Sequence, residues 1–227
     1  MAFTNTTPTP LRKSMLYFWI LAGMFITLPH VNGQDPLRFS KEINRFANIV
    51  PPYGSDVVVY TGSSSIRMWT SLKDDCQGHT AINTGFGGSQ MSDLLFFLEQ
   101  TIKRFNPSIV YIYEGDNDIA AGKSVSDIMT TTQVVVNELK AFDPNLKIFF
   151  IGAKPSPSRW SFKEQYVAFN QALKAYCSQD PHLEFIDVWT PMLNQEGRPI
   201  PQIFISDSLH MNRSGYQIWK EVICGND

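Results

Sequence analysis

Two residues near the C-terminus are spaced for acid–base chemistry. In DSLH, Asp207 stands three residues before His210, in a stretch that runs into the last helical pattern. A histidine works as a base through one ring nitrogen when an acceptor orients the other, and a carboxylate three residues upstream reaches it within one local turn. Such a pair needs a nucleophile. The run TGSSSIRMW supplies Ser63, Ser64 and Ser65 directly behind Gly62 and a β-branched strand pattern. Glycine permits a sharp strand-to-helix turn, and the helix that follows presents main-chain N–H groups able to hold a developing oxyanion. The three serines would equally serve as an N-cap cluster, and the local pattern does not choose among them.

Two more strand ends carry groups of the same use. NTGFGGSQ places Gly85, Gly87 and Gly88 in a loop whose N–H groups can face an anion. A dinucleotide loop would need glycine where Gln90 stands and would follow the first strand, so that reading fails. YEGDNDIAAG opens like a calcium loop at Asp116, Asn117 and Asp118, but Ala120 and Ala121 occupy positions that need an oxygen ligand and a glycine. The Asn117 amide is left as an oxyanion donor. His79 lies in a polar connection and His182 at a strand start, away from these loops. Cys76, Cys177 and Cys224 include no C-x-x-C pair, so neither a zinc nor a redox site is expected. One disulfide with one thiol left over is expected if the chain is exported, and the spacing does not select the pair. No cofactor or metal is called for.

Alternating elements must position these residues. Short apolar runs at Asp56 to Gly62, His79 to Gly85, Ser108 to Gly115, Leu146 to Lys154 and Leu183 to Trp189 read as buried parallel strands. Helical patterns over Ser92 to Phe105 (N-cap Ser92 or Asp93), Ser124 to Phe142, Ser161 to Gln179 and Ser214 to Ile223 separate or follow them, and Leu37 to Val50 adds an opening helix. Right-handed crossovers then make a three-layer α/β/α sandwich the natural solution, and its five-stranded parallel sheet is expected in flavodoxin-like order. Ligands of such sheets sit beyond the carboxyl ends of the strands, where all four loops lie.

Bulk properties set the frame. A chain of 227 residues suits one α/β domain, and 43% apolar with 18% charged residues is an ordinary globular composition. A net charge of -2 without a basic block argues against nucleic acid or an anionic membrane as partner. Arg12 and Lys13 precede the apolar run Met15 to Leu28, and Val31 and Gly33 fit the small-residue positions before a cleavage site. Residues 1–33 therefore read as a secretory signal, residues 34–227 as the working domain, and the product as secreted or periplasmic. The run is short for a membrane span, so no stable span is expected after cleavage.

Taken in order, GSSSIRMW, GFGG, GDND and DSLH resemble the four blocks of the SGNH hydrolases, the GDSL-type esterases and lipases. The resemblance extends from about Asp56 to Trp219, and the GSSSIRxW form of the first block is similar to a bacterial subgroup in which KPSPSRW is also familiar. It implies that Ser64, two residues after the glycine, is the nucleophile. Ser63 then stands where the family usually carries aspartate. It further implies Asp207 and His210 as the rest of the triad. The oxyanion hole would comprise the N–H groups of Ser64 and Gly88 and the Asn117 amide. Arg67 and Trp69 would line the pocket, core packing being the competing role for Trp69, and Asp118 would pin the Asn117 loop. The implied activity is hydrolysis of small-acyl carboxylic esters, acetylated carbohydrate among them, through an acyl-enzyme. Lysophospholipase or thioesterase activity, or a non-catalytic carbohydrate-binding role, are the alternatives on the same fold. GSSSI lacks the last glycine of the G-x-S-x-G elbow, which counts against an α/β-hydrolase.

Overall fold

The structure, a computed structural model, describes residues 1–2, 35–51 and 57–224. The expected signal segment lies outside the described residues apart from Met1 and Ala2, as do Gln34 and Asp56. Everything discussed below belongs to one compact unit, Gly33–Asp227.

Five parallel strands form the sheet: β1 (Val57–Gly62), β2 (Thr80–Gly85), β3 (Ile109–Tyr113), β4 (Lys147–Ile151) and β5 (Leu183–Ile186). Their order is β2-β1-β3-β4-β5, as the alternating pattern predicts. The period-2 pleat divides each strand between two cores. Val57, Val59, Val110, Ile112, Ile148 and Phe150 face one, and Val58, Tyr60, Tyr111, Tyr113, Phe149 and Ile151 face the other. Both faces of the central strands β1, β3 and β4 are buried, which is why these read as continuous apolar runs rather than alternating ones.

Helices cover both faces. α1 (Ser40–Ile43), α4 (Met91–Phe96), α5 (Leu98–Thr101), α7 (Val125–Phe142) and α8 (Lys163–Cys177) bury residues in the first core. α2 (Ser64–Arg67), α3 (Leu72–Asp75) and α9 (Arg213–Ile223) bury residues in the second. α6 (Asp116–Ala120) follows β3 directly. Ser124 and Asn212 cap α7 and α9 through their side-chain oxygens, so each helix begins one residue from its expected start. The opening segment is short α1 flanked by two 3-10 turns rather than one helix.

The pattern over Ser92 to Phe105 departs most from expectation. It breaks into α4, α5 and a 3-10 turn, and its N-cap is Gln90, which forms a reciprocal capping box with Asp93. Neither Ser92 nor Asp93 is the cap. Phe97 leaves the helical path with φ of -106° and packs edge-on against both Phe86 and Phe96.

Cys76, after α3, is bonded to Cys224, after α9, across a sequence separation of 148. Closing a loop of that length removes roughly 5 kcal/mol of chain entropy from the unfolded state. Cys177 is free and buried, and burial pushes its thiol up to about 12. It is therefore a packing residue, not a reactive thiolate.

Candidate active site

The sheet register explains why the four loops meet. Gly62 pairs with both Gly85 and Tyr113, so β1, β2 and β3 end at one level. Gly62 has φ of +123°, and a Cβ there would stand 2.1 Å from the Tyr113 carbonyl oxygen. Only glycine allows the chain to turn so close to β3. Ser63 is the extended N-cap of α2, and Ser64 opens the helix.

At that point Ser64 Oγ lies 2.8 Å from His210 Nε2. His210 Nδ1 lies 2.6 Å from Asp207 Oδ2. The other carboxylate oxygen of Asp207 accepts from the N–H groups of Leu209 and His210, each at 2.9 Å. Partial burial pushes the Asp207 carboxyl up, but the ring and the two N–H groups more than offset it and hold it at about 2. Asp207 is thus ionised at any pH near neutrality and orients the imidazole with Nε2 toward Ser64.

A cleft of about 400 Å³ opens over these groups. Ser64, Gly88, Asn117 and His210 line it, together with Glu42, Arg67 and Arg159. Gly88 adopts φ of +82° in the loop after β2. The Asn117 amide is fixed from both ends: its nitrogen donates to the Ser89 carbonyl at 2.8 Å, and Arg159 donates to its oxygen at 3.0 Å. One of its two amide hydrogens therefore remains for a ligand.

Of the two roles expected for Trp69, core packing is the one observed. Trp69 does not line this cleft. Its indole is 1% exposed, packs against Tyr60, Tyr216 and Trp219, and donates to Asp75 Oδ2 at 2.8 Å. Arg67 does line the cleft, with its guanidinium 3.5 Å from Glu42. Asp118 binds backbone, but that of Met91 at the start of α4, at 3.0 Å, and it accepts from Lys123 at 2.8 Å. It braces α4 against α6; the Asn117 side chain is held by Ser89 and Arg159.

Several supporting residues escape a reading of the strand ends. Lys154 is buried and donates to the Leu209 carbonyl at 2.8 Å, while Ser158 N–H donates to the Ser208 carbonyl at 3.1 Å. The KPSPSRW segment thus holds the turn that carries Asp207 and His210 through Lys154 and Ser158. It holds Asn117 through Arg159. Asp116 is the hub beneath them: it accepts from Tyr113 at 3.1 Å, from Arg159 at 2.5 Å and from Tyr166. Burial alone would raise the Asp116 carboxyl, but Lys154, Arg159 and Tyr166 hold it below the usual range. Removing one partner of such a buried charged cluster typically costs about 3–5 kcal/mol.

Glu114 has the opposite fate. Burial, followed by the nearby charge of Asp118, drives its carboxyl well above the usual range, and Ser89 Oγ donates to it at 2.5 Å. The fold thus favours its protonated form. As pH rises past the ordinary glutamate value, the unfolded chain releases this proton while the folded one keeps it, so stability falls with pH. Glu114→Gln keeps an acceptor for Ser89 and removes the ionisation. Urea titrations between about pH 5 and pH 8 are expected to show the variant gaining on the wild type as pH rises. Parallel stability curves would contradict a protonated Glu114.

A serine, an imidazole and a carboxylate aligned at the strand ends of a flavodoxin-ordered sheet define a hydrolase-type site on an α/β/α sandwich. The chain belongs to the GDSL-like Lipase/Acylhydrolase family, whose pattern matches residues 53–218. This is a family of ester-bond hydrolases acting on small molecules. Solved structures share the fold. A GDSL-like lipase from Bacteroides thetaiotaomicron VPI-5482 is 19% identical with a TM-score of 0.69, covering 83% of this chain and 96% of its own. A catalytic mutant of an acetylxylan esterase from Geobacillus stearothermophilus is 13% identical with a TM-score of 0.63, covering 76% and 94%. A carbohydrate esterase family 3 structure from Talaromyces cellulolyticus is 17% identical with a TM-score of 0.59, covering 74% and 94%. No curated protein sequence matches the chain. Among the described residues no helix is long and apolar enough to cross a membrane.

Proposed function

We propose that this protein is an exported serine esterase that cleaves small acyl groups, acetyl above all, from polar alcohols such as carbohydrate. The observation that carries the reading is the hydrogen-bonded line from Asp207 through His210 to Ser64 Oγ. In this mechanism His210 Nε2 takes the Ser64 proton as Oγ attacks the ester carbonyl. The N–H groups of Ser64 and Gly88 and the Asn117 amide receive the oxyanion. His210 then protonates the leaving alcohol and activates the water that releases the acid.

Two further observations support the finer terms. Glu42, Arg67, Asn117 and Arg159 bring charged and polar groups to the cleft, which suits a polar alcohol. Two of the fold's neighbours are described as an acetylxylan esterase and a carbohydrate esterase. Export rests on the signal-like segment ahead of Gln34.

One experiment addresses all three terms. Protein recovered from outside the cytoplasm is expected to begin at Gln34 and to hydrolyse p-nitrophenyl acetate faster than long-chain p-nitrophenyl esters. A fluorophosphonate is expected to inactivate it with one adduct, on Ser64. Active protein labelled elsewhere would refute the nucleophile, a long-chain preference would refute the acyl class, and retention of Met1 would refute the leader.

A further inference from the structure

A second cavity, of about 380 Å³, adjoins the one that holds Ser64, and Arg67 lines both. Its floor is apolar, with Phe46, Trp69 and Leu72. Its charged lining is cationic: Arg45, Arg67 and Lys73, with no aspartate or glutamate among the described lining residues. Glu42 is the carboxylate shared by that side, with one oxygen 3.1 Å from Arg45 and 3.5 Å from Arg67. Among the described ion pairs Glu42 is the one carboxylate that meets any of these three cations, which leaves a local positive excess on a chain whose net charge is -2. The loop after β2 keeps Arg67 in place. A Cβ at Gly87 would stand 2.8 Å from Arg67 Nε, so glycine lets the guanidinium lie against the loop.

We propose that this second cavity binds an anionic group of the ester substrate, carried on a ring or short apolar spacer, with Arg67 as the wall shared with the Ser64 cleft. The inference rests on the esterase reading above and adds the substrate's charge to it. The apolar floor takes the spacer, and Arg67, Arg45 and Lys73 take the anion. Arg67 contributes a planar pair of donors suited to a carboxylate or phosphate. Lys73 contributes a point charge on an exposed, flexible stem.

The test compares kcat/KM for matched esters in the wild type and in Lys73→Gln. Lys73 lines the second cavity and not the Ser64 cleft, and it is exposed, so the variant is expected to fold. One pair, para-acetoxybenzoate against para-acetoxybenzamide, puts the charge in the alcohol part. The other, mono-p-nitrophenyl succinate against p-nitrophenyl butyrate, puts it in the acyl part. The ratio of anionic to neutral kcat/KM, compared between wild type and variant, cancels the intrinsic reactivity of the esters. It is expected to fall about fivefold in Lys73→Gln for at least one pair, the size of one partly exposed ion pair, and less at high salt. The pair that responds identifies the side of the ester that carries the charge. A ratio that does not move for either pair, in protein that still hydrolyses the neutral esters, overturns this inference and leaves the esterase reading intact. Absence of hydrolysis of every ester by the wild type overturns the esterase reading itself.

Discussion

Ser64→Ala is expected to lower kcat for p-nitrophenyl acetate by roughly 10⁴- to 10⁶-fold, with circular dichroism and thermal midpoint close to those of the wild type. The size follows from the role. Without Oγ no acyl-enzyme forms, and only the oxyanion donors and substrate binding remain to accelerate attack by water. The mildness toward the fold follows from the local structure. Ser64 is the first residue of α2, half-buried, and its Oγ contact is to His210. Alanine is a good helix residue there, so little besides that contact is lost. Ser63→Ala serves as the control. The Ser63 hydroxyl is buried with no hydrogen-bond partner among the described residues, so deleting it removes no interaction seen there. Activity comparable to wild type in Ser64→Ala, or an equal loss in Ser63→Ala, would remove the assignment of the nucleophile.

The sheet and the chemistry were legible in the sequence for different reasons. β1, β3 and β4 are buried on both faces and left apolar runs that could be read locally, whereas β2, TAINTG, left a weaker signal. Each candidate residue taken alone had an ordinary structural use, as an N-cap serine or a turn aspartate, and it was the four short blocks in one order along the chain that made the site legible. What held those residues in place was not legible. Lys154 meets the Leu209 carbonyl 55 positions away, and Arg159 meets Asn117 42 positions away. A buried lysine in a Pro-rich segment looks like a loop cation until the fold closes over it. The Cys76–Cys224 pairing is similarly long-range, a choice among three cysteines that only the approach of α3 to α9 decides.

Helix interruptions were the other blind spot. The segment from Ser92 to Phe105 contains neither proline nor glycine, and its apolar spacing suits one helix. It breaks at Phe97, where the ring packs against Phe86 from the loop after β2. Tertiary packing there overrides local propensity. Trp69 illustrates the converse. Its place five residues after Ser64 left pocket lining and core packing both open; α2 is a single turn long, and by Trp69 the chain has turned into the core under α9.

Asp207→Asn is expected to cost about 10³- to 10⁴-fold in kcat while leaving the geometry of the turn nearly unchanged. Two N–H groups, of Leu209 and His210, donate to one carboxylate oxygen of Asp207, and His210 Nδ1 meets the other. In the asparagine variant the carbonyl oxygen must stay with the two N–H donors, because an amide nitrogen cannot accept from them. The amide NH₂ is then turned toward Nδ1. Nδ1 becomes an acceptor, the imidazole proton moves to Nε2, and Nε2 can no longer take the proton from Ser64. The defect is one of tautomer rather than position. It is therefore expected in kcat with little change in KM, and fluorophosphonate labelling of Ser64 should slow in parallel. Asp207→Ala removes the anchor for both N–H groups as well and is expected to loosen the turn, lowering the thermal midpoint where Asp207→Asn does not. If Asp207→Asn instead retained most of the wild-type kcat, the carboxylate would be a structural cap on the turn, and another group would have to orient His210.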